Sequence, residues 1–158
     1  MSEEGIHKEL RVRRIQNGTV IDHIESGQAL NVLKILGIPD SSQDVVSVLL
    51  NSHGKYGHKD VVKIESRELK AMEVDRIALI APNATINIIR NYDVSQKKKV
   101  HIPEFVEGIV KCINPNCISN SNEPMTSKFN VASGNEKLVL RCSYCGRVIS
   151  ENIGEHLL

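Results

Sequence analysis

Cys112-Ile113-Asn114-Pro115-Asn116-Cys117 and Cys142-Ser143-Tyr144-Cys145-Gly146 hold all 4 cysteines of the chain. Each pair brackets a tight turn that can aim two sulfurs at one centre, and the excursion between them carries the second pair back to the first. Gly146 suits such a turn because glycine tolerates positive φ. Four thiolates complete a tetrahedron and leave no position for water or substrate. The spacing therefore predicts a structural Zn2+ held by Cys112, Cys117, Cys142 and Cys145. Disulfides fit less well, since Met1 to Leu10 has no apolar segment of the kind a signal peptide needs. A redox Cys142/Cys145 pair would leave Cys112 and Cys117 unexplained.

Outward from this cluster, short strands are expected near Val106–Lys111, Lys128–Ala132, Lys137–Arg141 and Arg147–Ser150. Such a unit is too small for a large core, and the metal replaces the missing burial. Asn120 to Glu123 reads as a solvated loop inside the cysteine excursion. Lys97-Lys98-Lys99 and Pro103 mark a boundary before it.

The N-terminal part reads as alternating strands and helices. Asn17-Gly18 is a turn pair, and Thr19 to Ile24 is a strand rich in β-branched residues. A helix follows from Ser26 to about Leu36, with Leu30, Leu33 and Leu36 on its apolar stripe and Gly37 at its end. Asp44 to Asn51 and Lys59 to Glu65 are strands around a glycine-punctuated hairpin. Ser66 is placed to cap a second helix, with Glu68 in its first turn and Leu69, Met72, Ile77 and Ile80 on its buried side. Ala84 to about Val94 is the last strand, and a strand from Arg11 to Ile15 would extend an edge. The expected class is α+β: a ferredoxin-like βαββαβ N-terminal domain, residues 1–99, and a small all-β zinc-binding C-terminal domain, residues 104–158.

Composition narrows the function. Hydrophobic residues are 41% and charged residues 25%, as in ordinary globular proteins. No apolar run approaches a membrane span, and cysteines suited to metal point to a reducing cytoplasm. Residues 1–100 carry 15 Lys and Arg against 13 Asp and Glu, and residues 101–158 carry 5 against 6. A slightly acidic zinc half, with aromatics at 3%, disfavours a nucleic-acid grip. The competing class remains a zinc-ribbon nucleic-acid binder, since Cys142 to Gly146 is similar to a ribbon knuckle and the triple lysine could meet phosphates. No nucleophile–base constellation supports an enzyme.

Four stretches in order carry a resemblance. Gly18-Thr-Val-Ile-Asp-His-Ile24, Gly57-His-Lys-Asp-Val-Val-Lys-Ile-Glu65, Ala81-Pro-Asn-Ala-Thr-Ile-Asn87 with Asn91-Tyr92, and the cysteine cluster with Asn116-Cys117-Ile118-Ser119 resemble the regulatory chain of aspartate carbamoyltransferase. The resemblance implies a non-catalytic subunit of pyrimidine biosynthesis whose first domain binds CTP and ATP, and UTP as a further candidate. It implies a zinc domain docked on the catalytic chain, and a regulatory-chain homodimer. It assigns the nucleotide site to Val12, Ile15, Asp22, His23, Lys59, Lys63, Asn87, Ile89, Tyr92, Val94 and Lys97. Lys97 would meet the triphosphate, with His23 near it. Lys59 and Lys63 would serve the ribose and base region, and Asp22 the sugar hydroxyls. Val12 and Ile15 would lie against the base through backbone hydrogen bonds. Arg13 departs from the acidic residue of better-known members, and the lysine run offers phosphate more than one partner.

Asn87 and Ile89 are odd-numbered and Tyr92 and Val94 even, so a regular strand cannot present all four on one face. A bulge or break near Arg90-Asn91 is expected to reset the phase.

Overall fold

The computed structural model describes residues 14–38, 43–55, 57–121, 125–133 and 137–158. Val12 and Arg13, and most of the expected strand at Arg11–Ile15, lie outside them. Ile15 itself is buried outside any strand.

A five-stranded antiparallel sheet runs in the order β2-β3-β1-β4-β5. Its strands are β1 (Gly18–Glu25), β2 (Val46–Gly54), β3 (Gly57–Glu65), β4 (Thr85–Arg90) and β5 (Asp93–Lys99). Helices α1 (Ala29–Ile35) and α2 (Ala71–Ile77) follow β1 and β3. The chain thus has the expected strand–helix–strand–strand–helix–strand succession, with β5 added. A four-stranded sheet follows in the order β6-β7-β8-β9, from β6 (Phe105–Glu107), β7 (Lys128–Ser133), β8 (Leu138–Cys142) and β9 (Val148–Ile149).

Register divides the first sheet into two faces. Val48, Val62, Ile21 and Ile86 lie abreast on the helix-covered face, as do Val46, Ile64, Thr19 and Ile88. Ile21, Val62, Ile64 and Ile86 are fully buried there with Val32 and Ile77 from the helices. Thr19 keeps its hydroxyl satisfied by donating to Arg67 O at 2.7 Å.

Simple alternation fails at two bulges. Ile21 pairs with Val62 but Ile24 with Asp60, and Leu49 pairs with Val61 but Ser52 with Lys59. His23 and Asn51 sit at these bulges with φ of 59° and 58°. Between them lies Asp60, fully buried, whose carboxylate accepts from Gly27 N (2.9 Å), Ala29 N (3.2 Å) and Asn51 N (2.8 Å). Asp60 therefore ties both bulges to the start of α1. Because of the first bulge, Ile24 joins Ile21 in the core, where a period of two would have parted them.

The helices are shorter than periodicity indicates. Ser66 is not a helix cap: its φ is 64° and its N–H donates to Asn17 O. The helix starts after Lys70, whose N–H donates to Glu73 Oε1 at 3.0 Å, so Glu73 and not Glu68 occupies the first turn. Glu68 instead makes a two-point pair with Arg90. Met72 and Leu30, expected in the core, are 66% and 65% exposed. Leu69 is buried, but precedes α2.

The last strand does not run to Val94. β4 stops at Arg90, Asn91 and Tyr92 turn with φ of 52° and 70°, and β5 returns alongside. A bulge then pairs Ile88 with Gln96 but Ile89 with Val94. The phase does reset, but by a hairpin turn at Asn91–Tyr92 and a bulge at Ser95 rather than by a bulge at Arg90-Asn91; Asn87, Ile89, Val94 and Lys97 share the outer face, while Tyr92 stays in the turn.

The two units meet through the helices and the C-terminal segment. Leu79, just beyond α2, is buried in the second core beside Phe129 and Leu140, and Ile35 and Ile153 touch both cores. Lys34 Nζ donates to Leu157 O at 3.3 Å. A Cβ on Gly154 would lie 2.2 Å from Asn31 Nδ2, so any larger residue there would require the Asn31 side chain to swing aside.

Candidate metal centre and basic sheet face

The four cysteines converge. Their sulfurs all lie within 4.8 Å of one another, with Cys112–Cys145 at 3.6 Å and Cys117–Cys142 at 3.7 Å. A tetrahedron with metal–sulfur bonds of ~2.3 Å has edges of ~3.8 Å, so the donor set fits a four-thiolate metal. Cys112, Cys117 and Cys142 are buried and Cys145 is exposed.

Local geometry builds each knuckle. Cys117 N donates to Asn114 O at 3.0 Å, and Gly146 N to Cys142 O at 2.9 Å, with Gly146 at φ 78°. Asn120, expected in a solvated loop, ends a 3-10 turn and donates to Cys112 O (2.9 Å) and Asn114 O (2.8 Å). Its amide ties the two ends of the first knuckle together.

The metal-free sulfurs are electrostatically unequal. Burial, ahead of its neighbours, pushes the Cys112 thiol up to about 12. The Arg147 N–H, ahead of other donors, brings Cys145 down to about 6. Cys117 is lowered, chiefly by the Ser119 hydroxyl, which sits 3.2 Å from its sulfur. Such a cluster takes up a cation by releasing protons.

The outer face of the first sheet gathers the other expected residues. Lys63, Val20, Asn87 and Lys97 stand abreast on β3, β1, β4 and β5. At ~4.8 Å per strand this row spans roughly 14 Å. One step along the strands in one direction are Ile89 and Val94; one step in the other are Asp22, Thr85 and Lys99. Lys97 and Lys99 share this face, while Lys98 pairs with Ile86 on the opposite one.

Asp22 receives Lys59 Nζ at 2.8 Å and His23 N at 2.7 Å. Burial alone would raise its carboxyl, but the Lys59 and His23 hydrogen bonds and the Lys59 charge outweigh it and hold the pKa below the ordinary value. Lys63 is lowered by burial first and then by the Arg14 charge, against the pull of Asp22. His23 Nδ1 lies 3.1 Å from Thr85 Oγ1.

Beyond Asp22 a cleft of ≈ 440 Å³ opens at the strand ends, lined by Lys55, Lys59 and Lys99 with one carboxylate, Glu25, and by His23, His58 and Thr85. Among the described residues of the expected set, only His23 and Lys59 line it. Lys55 and Thr85 lie outside the expected set, and Lys99 enters it only as one choice within the lysine run; alternation along β5 singles it out together with Lys97.

Ile15 and Tyr92 mark the other end. Tyr92 N donates to Gln16 O at 2.9 Å and Arg14 to Tyr92 O at 3.2 Å, which pins the β4–β5 turn to the segment before β1. The Ile15 side chain is buried, whereas Tyr92 and Val94 are exposed. The face therefore grades from apolar at Ile89, Tyr92 and Val94 to basic at Lys63, Lys97, Lys59 and Lys99.

Comparison with known proteins follows the same division. A family model described as the allosteric domain of the aspartate carbamoyltransferase regulatory chain matches residues 10–101, and one for its metal binding domain matches residues 104–155. Curated proteins named aspartate carbamoyltransferase regulatory chain are similar along the whole length. That of Methanococcoides burtonii is 67% identical, covering 100% of both chains. Those of Methanosarcina barkeri and Methanocella arvoryzae are 58% and 62% identical, each over 96% of this chain and 97% of the relative.

Proposed function

This chain belongs to the family of aspartate carbamoyltransferase regulatory chains, a non-catalytic subunit with an allosteric and a metal-binding domain, and on that premise we propose that it senses nucleoside triphosphates. Residues 1–99 form the nucleotide-binding unit, and residues 104–158 the unit that docks on the catalytic chain. CTP and ATP are the effectors, with UTP as a further candidate. No helix among the described residues is long and apolar enough to cross a membrane, and we place the protein in the cytoplasm as a regulatory-chain homodimer bound to catalytic chains.

The observation that carries this reading is the graded sheet face. Its apolar end, at Ile89, Tyr92 and Val94, suits a base, and the family resemblance would add backbone groups of the segment before β1 to the same contact. Asn87 and Asp22 offer polar groups to base and sugar. Lys63 and Lys97 supply positive charge along the rest, with Lys97 on the phosphates, while Lys59, paired with Asp22, and the His23 imidazole offer further polar contacts. Lys99 shares the Lys97 face and is a second phosphate partner. The metal is zinc: four sulfurs at tetrahedral spacing with no open position suit a structural Zn2+. The bound nucleotide biases the catalytic partner only by binding its two arrangements unequally, and such coupling is typically ~1–3 kcal/mol and reciprocal.

Calorimetry with CTP and ATP, paired with a metal assay, tests the assignment. Lys63→Ala weakens nucleotide binding and keeps one metal per chain. Cys145→Ala loses the metal and the docking. Unchanged affinity in the Lys63 variant would contradict the assigned face.

A further inference from the structure

β2 and β3 meet in a hairpin closed by the pair Gly54–Gly57, and the next pair back is His53–His58. In a short antiparallel hairpin the pair behind the closing one is non-hydrogen-bonded, with Cα atoms ~4.5 Å apart and side chains at their closest. The two imidazoles are in ring contact, with centroids 4.7 Å apart and planes tilted by 43°. Both side chains are exposed. His58 Nδ1 lies 3.3 Å from Asn51 O. A proton on Nδ1 donates to that carbonyl and leaves the Nε2 lone pair outward, the arrangement in which a histidine ligates a metal. Lys59, next in sequence, has its charge offset by Asp22 at 2.8 Å.

We propose that His53 and His58 form a two-imidazole site for a borderline transition-metal cation such as Ni2+, Cu2+ or Zn2+, separate from the thiolate centre. Paired neutral nitrogens suit these ions, with waters completing the coordination; Mg2+ and Ca2+ prefer oxygen. Neither histidine belongs to the expected nucleotide set, yet His58 lines the basic cleft beside Lys59. A dication here fastens the hairpin and adds positive charge at the cleft's rim. On the nucleotide reading above, the metal then tightens binding of the anionic effector, and the effector tightens binding of the metal in equal measure.

The test is titration of Ni2+ into the tag-free, zinc-loaded full chain by calorimetry. One added nickel per chain with micromolar affinity is expected. His53→Ala and His58→Ala should each weaken it by about tenfold or more, with His101→Ala unchanged and the structural metal retained in all three. No nickel beyond the thiolate centre, or binding that survives both substitutions, overturns the site. CTP titration with and without nickel is the second arm. Equal CTP affinities in a chain that binds nickel overturn the coupling. Failure of CTP to bind at all counts against the nucleotide reading and leaves the metal site standing.

Discussion

The first sheet buries Ile21, Ile24, Val62, Ile64 and Ile86 beneath two helices, whereas the second has Phe129, Leu140 and Val110 with three of the four thiols as much of its core. Full burial of an aliphatic side chain contributes ~1.5–3 kcal/mol, so the first domain accumulates stability from many such residues. The second has few, and a structural metal with an apparent binding energy of ~10–16 kcal/mol supplies what they lack. The difference teaches why the chain divides its labour as proposed. A burial-stabilised sheet can leave a face open to a ligand, while a metal-stabilised unit has fixed knuckles to present to a partner.

The largest effect that sharpens this contrast comes from Cys142→Ser. It removes a buried ligand, and the loss is on the order of 10 kcal/mol of metal-linked folding energy. Amide NMR should show resonances of 105–157 collapsing while those of 18–99 persist. Collapse of both halves together would erase the distinction.

Asp60→Ala comes next and strikes the other domain. It strands three N–H groups held by a buried carboxylate, at a cost of ~3–5 kcal/mol. Thermal unfolding should shift for the first domain, with the metal retained. Unchanged melting would mean that the two bulges hold themselves.

Gly154→Ala probes the seam. Its new Cβ meets the far end of the Asn31 side chain, which must swing aside at a cost of ~1 kcal/mol or less. Adding Asn31→Ala should restore most of that loss; no recovery in the double variant would point to the 3-10 turn itself.

The smallest effect is electrostatic. Asp22 has a folded pKa below its ordinary value, so its contribution is complete above ~3.9 and is lost as pH falls through the lower folded pKa. Lys59→Met should raise the Asp22 pKa in a carboxyl NMR titration. An unmoved pKa would assign the shift to the His23 N–H alone.

Much of this architecture was legible beforehand. The cysteine spacing led to the cluster, the β-branched runs to β1–β4, and the odd–even conflict at Asn87 and Val94 to a phase break. What stayed hidden has physical causes. β5 is exposed on both faces, so no apolar alternation announces it, and three lysines read as a boundary. Leu30 and Met72 are apolar positions on helices yet face outward, because the first helix turns Ala29 and Val32 to the core and the second Val74 and Ile77, which leaves Leu30 and Met72 off the inward stripe. Asp60 holds its place through backbone N–H groups that come together only after the bulges form. Nothing local in the sequence signals that role. Asn120 acts across the first knuckle in the same way.

The central claim is that one domain receives an anionic nucleotide and the other delivers the message to a catalytic chain. Carbamoyl-transfer activity of the reconstituted complex, titrated with CTP and with ATP, tests it most directly. The prediction is an effector response that requires this chain and is lost in Lys63→Ala while the complex stays assembled. An equal response from the catalytic chain alone, or an undiminished one in the assembled Lys63→Ala complex, would contradict it.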